Sequence, residues 1–417
     1  MKTLGIILYI IFYQTFLLSQ DNFIISGPSR NNIEAFYDIK NSNDQYFCLR
    51  YDLNTNDPDS SNSSLLIYDK IGSKLLEKQI GGSTYKCFQI LTIDSNYIEI
   101  LGSIKSDSCA SILTISKYNY LTDSLVQISR YEFCNNQVLQ KAKITRGLYD
   151  SQFVEGYYSS QSNFFFKFIL QLDSNQNLTK VFDSLGVYTH LSIDFSRKGY
   201  VIKDNSLCDF YDYAFNYRKQ RYNIGEGFEP SAHSTHIPFD RNFILEQVKK
   251  PNGGPPNGVV IRLIDSSLAV QKFVTISPPG SSYIGFIDLP FFGGLNITED
   301  SSLWIAGSFG YSPQIDSNYY NVTKLDKDLK VICTHFLGFD AIYRLFGTAI
   351  SIDGGLLVYG WKLSRGGIIN SGDEEAFAIK LGPNCEFPTT STSDPDTPLI
   401  SISAYPNPGI NFLTFSV

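Results

Sequence analysis

Methionine is almost missing from this sequence: one in 417 residues, alongside two tryptophans and four histidines. Charge is sparse as well. Asp, Glu, Lys and Arg make up 18%, and 34 basic against 41 acidic residues leave a net charge of -7. A lightly acidic surface has no electrostatic footprint for phosphate backbones, so nucleic acid is not an expected partner. None of the seven cysteines forms a Cys-x-x-Cys pair, which removes zinc ribbons and thioredoxin-like redox motifs. There is no Gly-x-Ser-x-Gly elbow, no Walker loop and no dinucleotide-binding glycine fingerprint. From Phe23 onward no amphipathic helix can be traced, and no later apolar run has the ~20 residues a membrane span needs.

What is plentiful is tyrosine (27) and phenylalanine (31), in a chain that is 43% hydrophobic. Apolar residues alternate or come in runs of four to six, bounded by Asn, Asp, Ser and Gly, which is the signature of strands and tight turns. The clearest stretch is Ile350–Leu381: an acidic-glycine turn, an apolar strand, a polar loop and a second strand. Similar pieces recur upstream. With turn residues 44, 94, 150, 197, 240, 300 and 353 as anchors, the intervals are 50, 56, 47, 43, 60 and 53. A mean of about 52 suits four-stranded blades. One blade has two apolar faces and buries both only by stacking in a ring. The expected fold is therefore all-β, a β-propeller of seven blades spanning 20–387. A β-sandwich shares the short strands but not the sustained period. In this reading the strand after each anchor lies nearest the axis. Gly102, Gly156, Gly307 and Gly360 mark tight exits from it. The acids Asp373, Glu374 and Glu375 sit in a solvated loop.

The N-terminus reads as an export signal, residues 1–19. Lys2 supplies the positive charge, Leu4 to Leu18 is apolar, and cleavage falls near Ser19. An exported protein meets an oxidising compartment, so one or two disulfides are expected among otherwise buried thiols, with at least one cysteine left over. At the other end, Pro388–Pro398 has no apolar periodicity and reads as an extended linker.

A strand pattern resumes at Leu399. Ala404-Tyr405-Pro406-Asn407-Pro408-Gly409, followed by Leu413–Val417, resembles the start of the C-terminal sorting domain of type IX secretion cargo from Bacteroidetes. The resemblance covers about nineteen residues, 399–417, the incomplete start of such a β-sandwich domain. Its specific part is the Tyr-Pro-Asn-Pro turn, where two prolines fix φ and break the strand. It implies export to the cell surface or medium through the type IX machinery. The repeat region is similar to the propeller ectodomains that precede such domains.

Little in the sequence carries chemistry. His233-Ser-Thr-His236 has a metal-compatible spacing but no third ligand fixed near it. Asp52 to Asp59 offers oxygens at alternate positions, yet Asp57 and Ser63 stand where a calcium loop needs Gly and Glu. No cofactor is expected, calcium being the one ion an extracellular setting keeps in view. Carboxylate pairs cannot be picked from 41 acids without spatial information. Loop aromatics are the candidate recognition residues, Tyr222 and Tyr311 first. The sequence points to a non-catalytic binding or scaffold module for a protein or glycan. The alternatives are a polysaccharide-degrading enzyme on the same fold or a structural adhesion component.

Overall fold

The computed structural model describes residues 24–26, 32–54, 62–82, 84–105, 111–133, 138–146, 152–159, 165–185, 190–194, 199–204, 207–212, 216–223, 235–238, 243–249, 258–265, 269–277, 286–311, 318–338, 341–364 and 374–387. Every regular element among them is a β-strand, and the strands form seven antiparallel sheets. Blade 1 joins Asn32–Ser42, Gln45–Asn54, Asn62–Asp69 and Lys74–Ile80. Blade 2 joins Tyr85–Ile93, Tyr97–Ile104, Ser111–Asn119 and Ser124–Phe133. Blade 3 joins Val138–Arg146, Gln152–Ser159, Phe165–Leu172 and Leu178–Leu185. Blade 4 joins His190–Asp194, Gly199–Asp204, Leu207–Asp212 and Tyr217–Asn223. Blade 5 joins Thr235–Pro238, Phe243–Lys249, Val259–Asp265 and Val270–Ile276. Blade 6 splits its first strand into Phe286–Asp288 and Leu295–Ile297, then runs Leu303–Tyr311, Tyr319–Leu325 and Val331–Gly338.

Blade 7 is closed by the other end of the chain. Ala341–Ile350, Leu356–Ser364 and Glu374–Leu381 supply three strands, and Ile24–Ser26 is the fourth, with Ile24 opposite Ile379 and Ser26 opposite Phe377. First strands of most successive blades lie against one another, including those of blades 7 and 1. Between blades 3 and 4 the contact is made by Phe153 and Tyr200, whose rings are 4.7 Å apart. The molecule is a β-propeller, and within each blade the outer strand alone leaves a sheet edge facing outward. No helix among the described residues is long and apolar enough to cross a membrane.

The pieces that repeat most clearly in sequence are not the axial strands. Gln45–Asn54, Tyr97–Ile104, Gln152–Ser159 and Leu356–Ser364 are second strands, and another strand precedes each of them at the axis. Second and third strands carry the longest buried runs because both faces are covered by neighbouring blades. Asn62–Asp69, for example, is buried at all but its two ends. First strands face the channel on one side and fourth strands face solvent, so both interleave polar residues. In blade 4, Gly199–Asp204 and Leu207–Asp212 are the second and third strands, and Tyr217 opens the fourth. Glu374 and Glu375 lie in a strand, with Glu374 buried, so the solvated-loop reading of these acids is corrected.

Turn chemistry repeats with the blades. Asp69, Asp173, Asp212, Asp265 and Asp326 end third strands, and each accepts the backbone N–H four residues on through Oδ1, at 2.7–3.0 Å. A carboxylate satisfying amides of its own turn is the reason Asp is favoured there. Asn43 and Asp44, both at positive φ, make the two-residue turn of blade 1.

Neighbouring first strands do not pair as a sheet, so their amides need other acceptors. Asp38 Oδ2 accepts the N–H of Ile90, and Gln89 Oε1 accepts that of Ile144, at 2.9 and 2.6 Å. Ser63 and Ser111 accept those of Cys87 and Leu139, both at 2.9 Å. These bonds tie blade 1 to blade 2 and blade 2 to blade 3.

Candidate functional site

The two ends of the ring differ. Turns between first and second, and third and fourth, strands close one face and are short. The connections that leave from the other face include 224–234, 250–258, 277–285, 312–318 and 365–373. Recognition on propellers is built where length is free to vary, and here that is one face only.

Below that face a segment of blade 6 reaches across to blades 3 and 1. The first strand of blade 6 is interrupted by Pro290-Phe291-Phe292-Gly293-Gly294, which turns inward and bonds to blade 7. Phe292 donates its N–H to the Phe346 carbonyl at 2.7 Å, and Thr348 donates its N–H to the Gly293 carbonyl at 3.1 Å. Gly293 has a φ of 116°, a region few other residues adopt. A Cβ on Gly294 would lie 2.5 Å from the Ala306 carbonyl oxygen. Two glycines are therefore required for this turn. It carries Phe291 across the axis to Tyr157 of blade 3, with ring centroids 5.6 Å apart, while Phe292 reaches Tyr37 of blade 1 at 6.2 Å. Phe291 is buried.

Three first strands add aromatics by the same device. Bulges follow Phe36, Cys87 and Leu345, so Tyr37, Phe88 and Phe346 are extra residues without a partner across the sheet. A bulge re-aims its side chain, and these three converge: Tyr37 lies 5.0 Å from Phe346 and 6.4 Å from Phe88.

Cations surround the rings. Gly102, Gly156 and Gly360 lie inside second strands, not at their exits. A Cβ on each would meet the carbonyl oxygen of Lys86, Lys141 or Arg344 at 2.7, 2.7 and 2.0 Å. That shared approach places the three basic residues at corresponding positions of blades 2, 3 and 7. Gly307 has a different reason, since its Cβ would strike the Val259 side chain at 2.6 Å. Lys86 Nζ lies 4.6 Å from the Tyr51 ring centroid and 5.8 Å from that of Tyr37. Lys141 Nζ is 3.9 Å from the Phe346 centroid. Lys143 donates to the Phe291 carbonyl at 3.3 Å. Burial pushes Lys86 down to about 8, and burial also lowers Lys143, with Glu155 opposing. Glu155 itself is held by Lys167 at 2.8 Å. Burial raises the Tyr37 phenol, Tyr51 adds to the rise and Arg344 opposes it. Cation–π contacts of this kind hold charge where water is thin.

A second group lies at the seam of blades 1 and 7. Glu34 is buried and pushed up to about 7, chiefly by burial, with Arg50 opposing and Asp52, Glu375 and Glu77 adding. Its Oε2 has no hydrogen-bond partner among the described residues. Arg50 bonds Asp52 at 2.8 Å and Glu77 at 2.9 Å.

The residues singled out from sequence fall elsewhere. Tyr222 and Tyr311 are in strands, opposite Cys208 and Phe286, and not in loops; their side chains lie outside the described part. Tyr405, Pro406, Asn407 and Pro408 lie outside the described residues, as does His233, while only the backbone of His236 is described. Asp52 is engaged by Arg50, and the rest of the proposed calcium loop through Asp59 is described only as far as Asn54. The axial lysines were missed, though Lys141-Ala-Lys143 at alternate positions of an apolar region, and Pro-Phe-Phe-Gly-Gly, were the available signals. Cysteine chemistry follows the expected division: Cys48 and Cys87 are buried free thiols, and Cys333 is bonded to Cys385.

No protein-family model and no curated protein sequence matches the chain. Among solved structures it is similar to several propellers. The WD40 domain of SCAP from fission yeast is 8% identical with a TM-score of 0.37, covering 88% of this chain and 99% of that one. The propeller domain of the Trilobed protease from Pyrococcus furiosus is 9% identical with a TM-score of 0.44, covering 82% and 97%. An oligogalacturonate lyase solved with manganese is 9% identical with a TM-score of 0.45, covering 86% and 96%.

Proposed function

We propose that this propeller is an exported, surface-associated binding module that takes a glycan or protein ligand on its loop-bearing face without transforming it. The observation that carries this reading is the Phe291–Phe292 plug. A ligand approaching from that face meets a floor of rings and lysines, with Glu155 committed to Lys167 and Asp38 to its neighbours. Such a floor can hold a ligand, and among its described residues no facing pair of free carboxylates is present for acid–base work. Export is read from residues 1–19. Delivery by the type IX machinery is read from Tyr405-Pro406-Asn407-Pro408, and fusing residues 388–417 to a reporter in a type IX-competent host tests it.

A glycan array and a surface-protein array, probed with the full chain and with a variant carrying Gly-Ser in place of 250–257, test the binding role. We expect ligand capture by the parent and its weakening by the loop exchange. Turnover of a polysaccharide by the parent would overturn the reading.

One observation favours that second reading, polysaccharide cleavage: Glu34, held near 7 beside Asp52, has the proton affinity of a general acid. Loss of any turnover in Glu34→Gln would locate it there. An adhesion role is less favoured. Exposed apolar residues on fourth strands (Leu75, Val126, Leu178, Phe273 and Ile332 among them) are distributed over five blades, not gathered on one surface.

A further inference from the structure

We infer that the axial floor is an anion site that receives the carboxylate-bearing end of an acidic glycan, a terminal uronic acid. The inference rests on the binding role proposed above and names the ligand. Three observations carry it.

The first is charge placed against burial. Lys86 is half-buried and surrounded by the rings of Tyr37, Tyr51 and Phe88. Among the described residues its ammonium has no carboxylate and no hydrogen-bond acceptor. Lys143 donates to the Phe291 carbonyl, and Glu155, the carboxylate that acts on it, is itself bonded to Lys167. A chain of net charge -7 with many spare acids has nonetheless placed these cations together where each costs desolvation energy. Lys141 and Arg344 hold corresponding positions in blades 3 and 7. An arriving anion would offset that cost, which is how a site gains affinity from its own strain.

The second is the type of donor. The cations nearest the rings are lysines, and aromatic faces separate them. A compact phosphate is better served by backbone amides or by the fork of an arginine. Lysines alternating with rings suit a ligand with one carboxylate and a carbon ring whose C–H face can lie on Tyr51 or Phe292, both half-buried.

The third is depth. Phe291 crosses to Tyr157 and lies across the channel below Lys86. Lys86 is the second residue of its strand, which begins at the loop-bearing end. A polymer cannot thread past the plug, so the site fits a chain end or a single sugar.

The test is calorimetry with a glucuronic acid trimer and the uncharged glucose trimer of the same linkage, with inorganic phosphate and benzoate as separate probes. We expect the acidic trimer to bind at least tenfold more tightly than the neutral one and than either small anion. We expect Lys86→Met to lose at least tenfold in that affinity while melting no lower than the parent. Lys143→Gln serves as the second variant should Lys86→Met fail to fold. Equal affinity for both trimers, tighter binding of phosphate or benzoate, or unchanged affinity in the folded variants would overturn the inference. Capture of neutral glycans or proteins on the arrays, without the acidic trimer, would sink this inference and leave the binding role standing. Silence on all of them would remove both.

Discussion

Tyr359 donates its hydroxyl hydrogen to Asp38 at 3.0 Å across the seam where the ring closes, 321 residues apart in the chain. The bond spans three blades, because the other oxygen of Asp38 accepts the Ile90 N–H from blade 2. Both partners are fully enclosed, and burial raises Asp38 while Lys40, Ile90 and Tyr359 oppose it. Tyr359→Phe keeps the ring and leaves one carboxylate oxygen buried without this donor. A buried acceptor left unmade costs about 1–3 kcal/mol. Urea denaturation should show a loss of that size with an unchanged m-value. A loss below ~0.5 kcal/mol would mean that water or another donor serves Asp38.

The plug should matter to stability as well as to recognition. Phe291 touches blade 3 from blade 6, so Phe291→Ala removes packing that links opposite sides of the ring. Buried Phe→Ala changes cost about 3–5 kcal/mol, and thermal unfolding measures it. Phe291→Leu, which keeps most of the volume, should recover more than half of the loss.

The lysine floor makes a prediction about pH. Lys86 is held near 8 in the fold, against 10.5 for an ordinary lysine. Between those values the unfolded chain binds more protons than the native one, so this group makes stability rise with pH from about 8 towards 10.5. The tyrosines around it work in the opposite sense at the alkaline end, because burial raises Tyr37. The cleanest measure is therefore the parent minus Lys86→Met, taken from pH 7 to 9.5. The deficit of the parent should shrink as pH rises. A difference that stays flat would show that Lys86 is not desolvated.

The Cys333–Cys385 bridge joins the fourth strand of blade 6 to the turn that follows the third strand of blade 7, closing a separation of 52 residues. His335 and Phe387 pack beside it, ring centroids 4.3 Å apart. Cross-links of such length stabilise by about 2–4 kcal/mol. Cys333→Ser with Cys385→Ser should lower the melting temperature, and reductant should lower the parent to the same value. If reductant leaves the parent unmoved, the bridge does not form in solution.

Much of the architecture was legible, and the reason is burial. Gln45–Asn54 and Asn62–Asp69 are covered on both faces, so their apolar runs repeat at each blade and gave the period. The turn anchors were legible too, since Asn43 and Asp44 are the residues a two-residue turn demands. The axial strand was not. Ala35 to Asp38 and Lys86 to Gln89 mix rings, charges and apolar residues, because one side faces the channel and a bulge breaks the alternation. The site was lost for the same reason. Lys86, Lys141 and Phe291 lie far apart in the chain, and only the closure of the ring brings these charges and rings into one place.

That closure has a temporal side. Ile24 pairs with Ile379, so the strand Ile24–Ser26 has no partner until the strand Glu374–Leu381 has been made. Contacts of such long separation form late and slowly. The six blades before it can assemble in turn as they emerge, but the ring stays open through synthesis. For a protein that we propose to be exported, an open and unlatched form is the state in which it would still be able to travel.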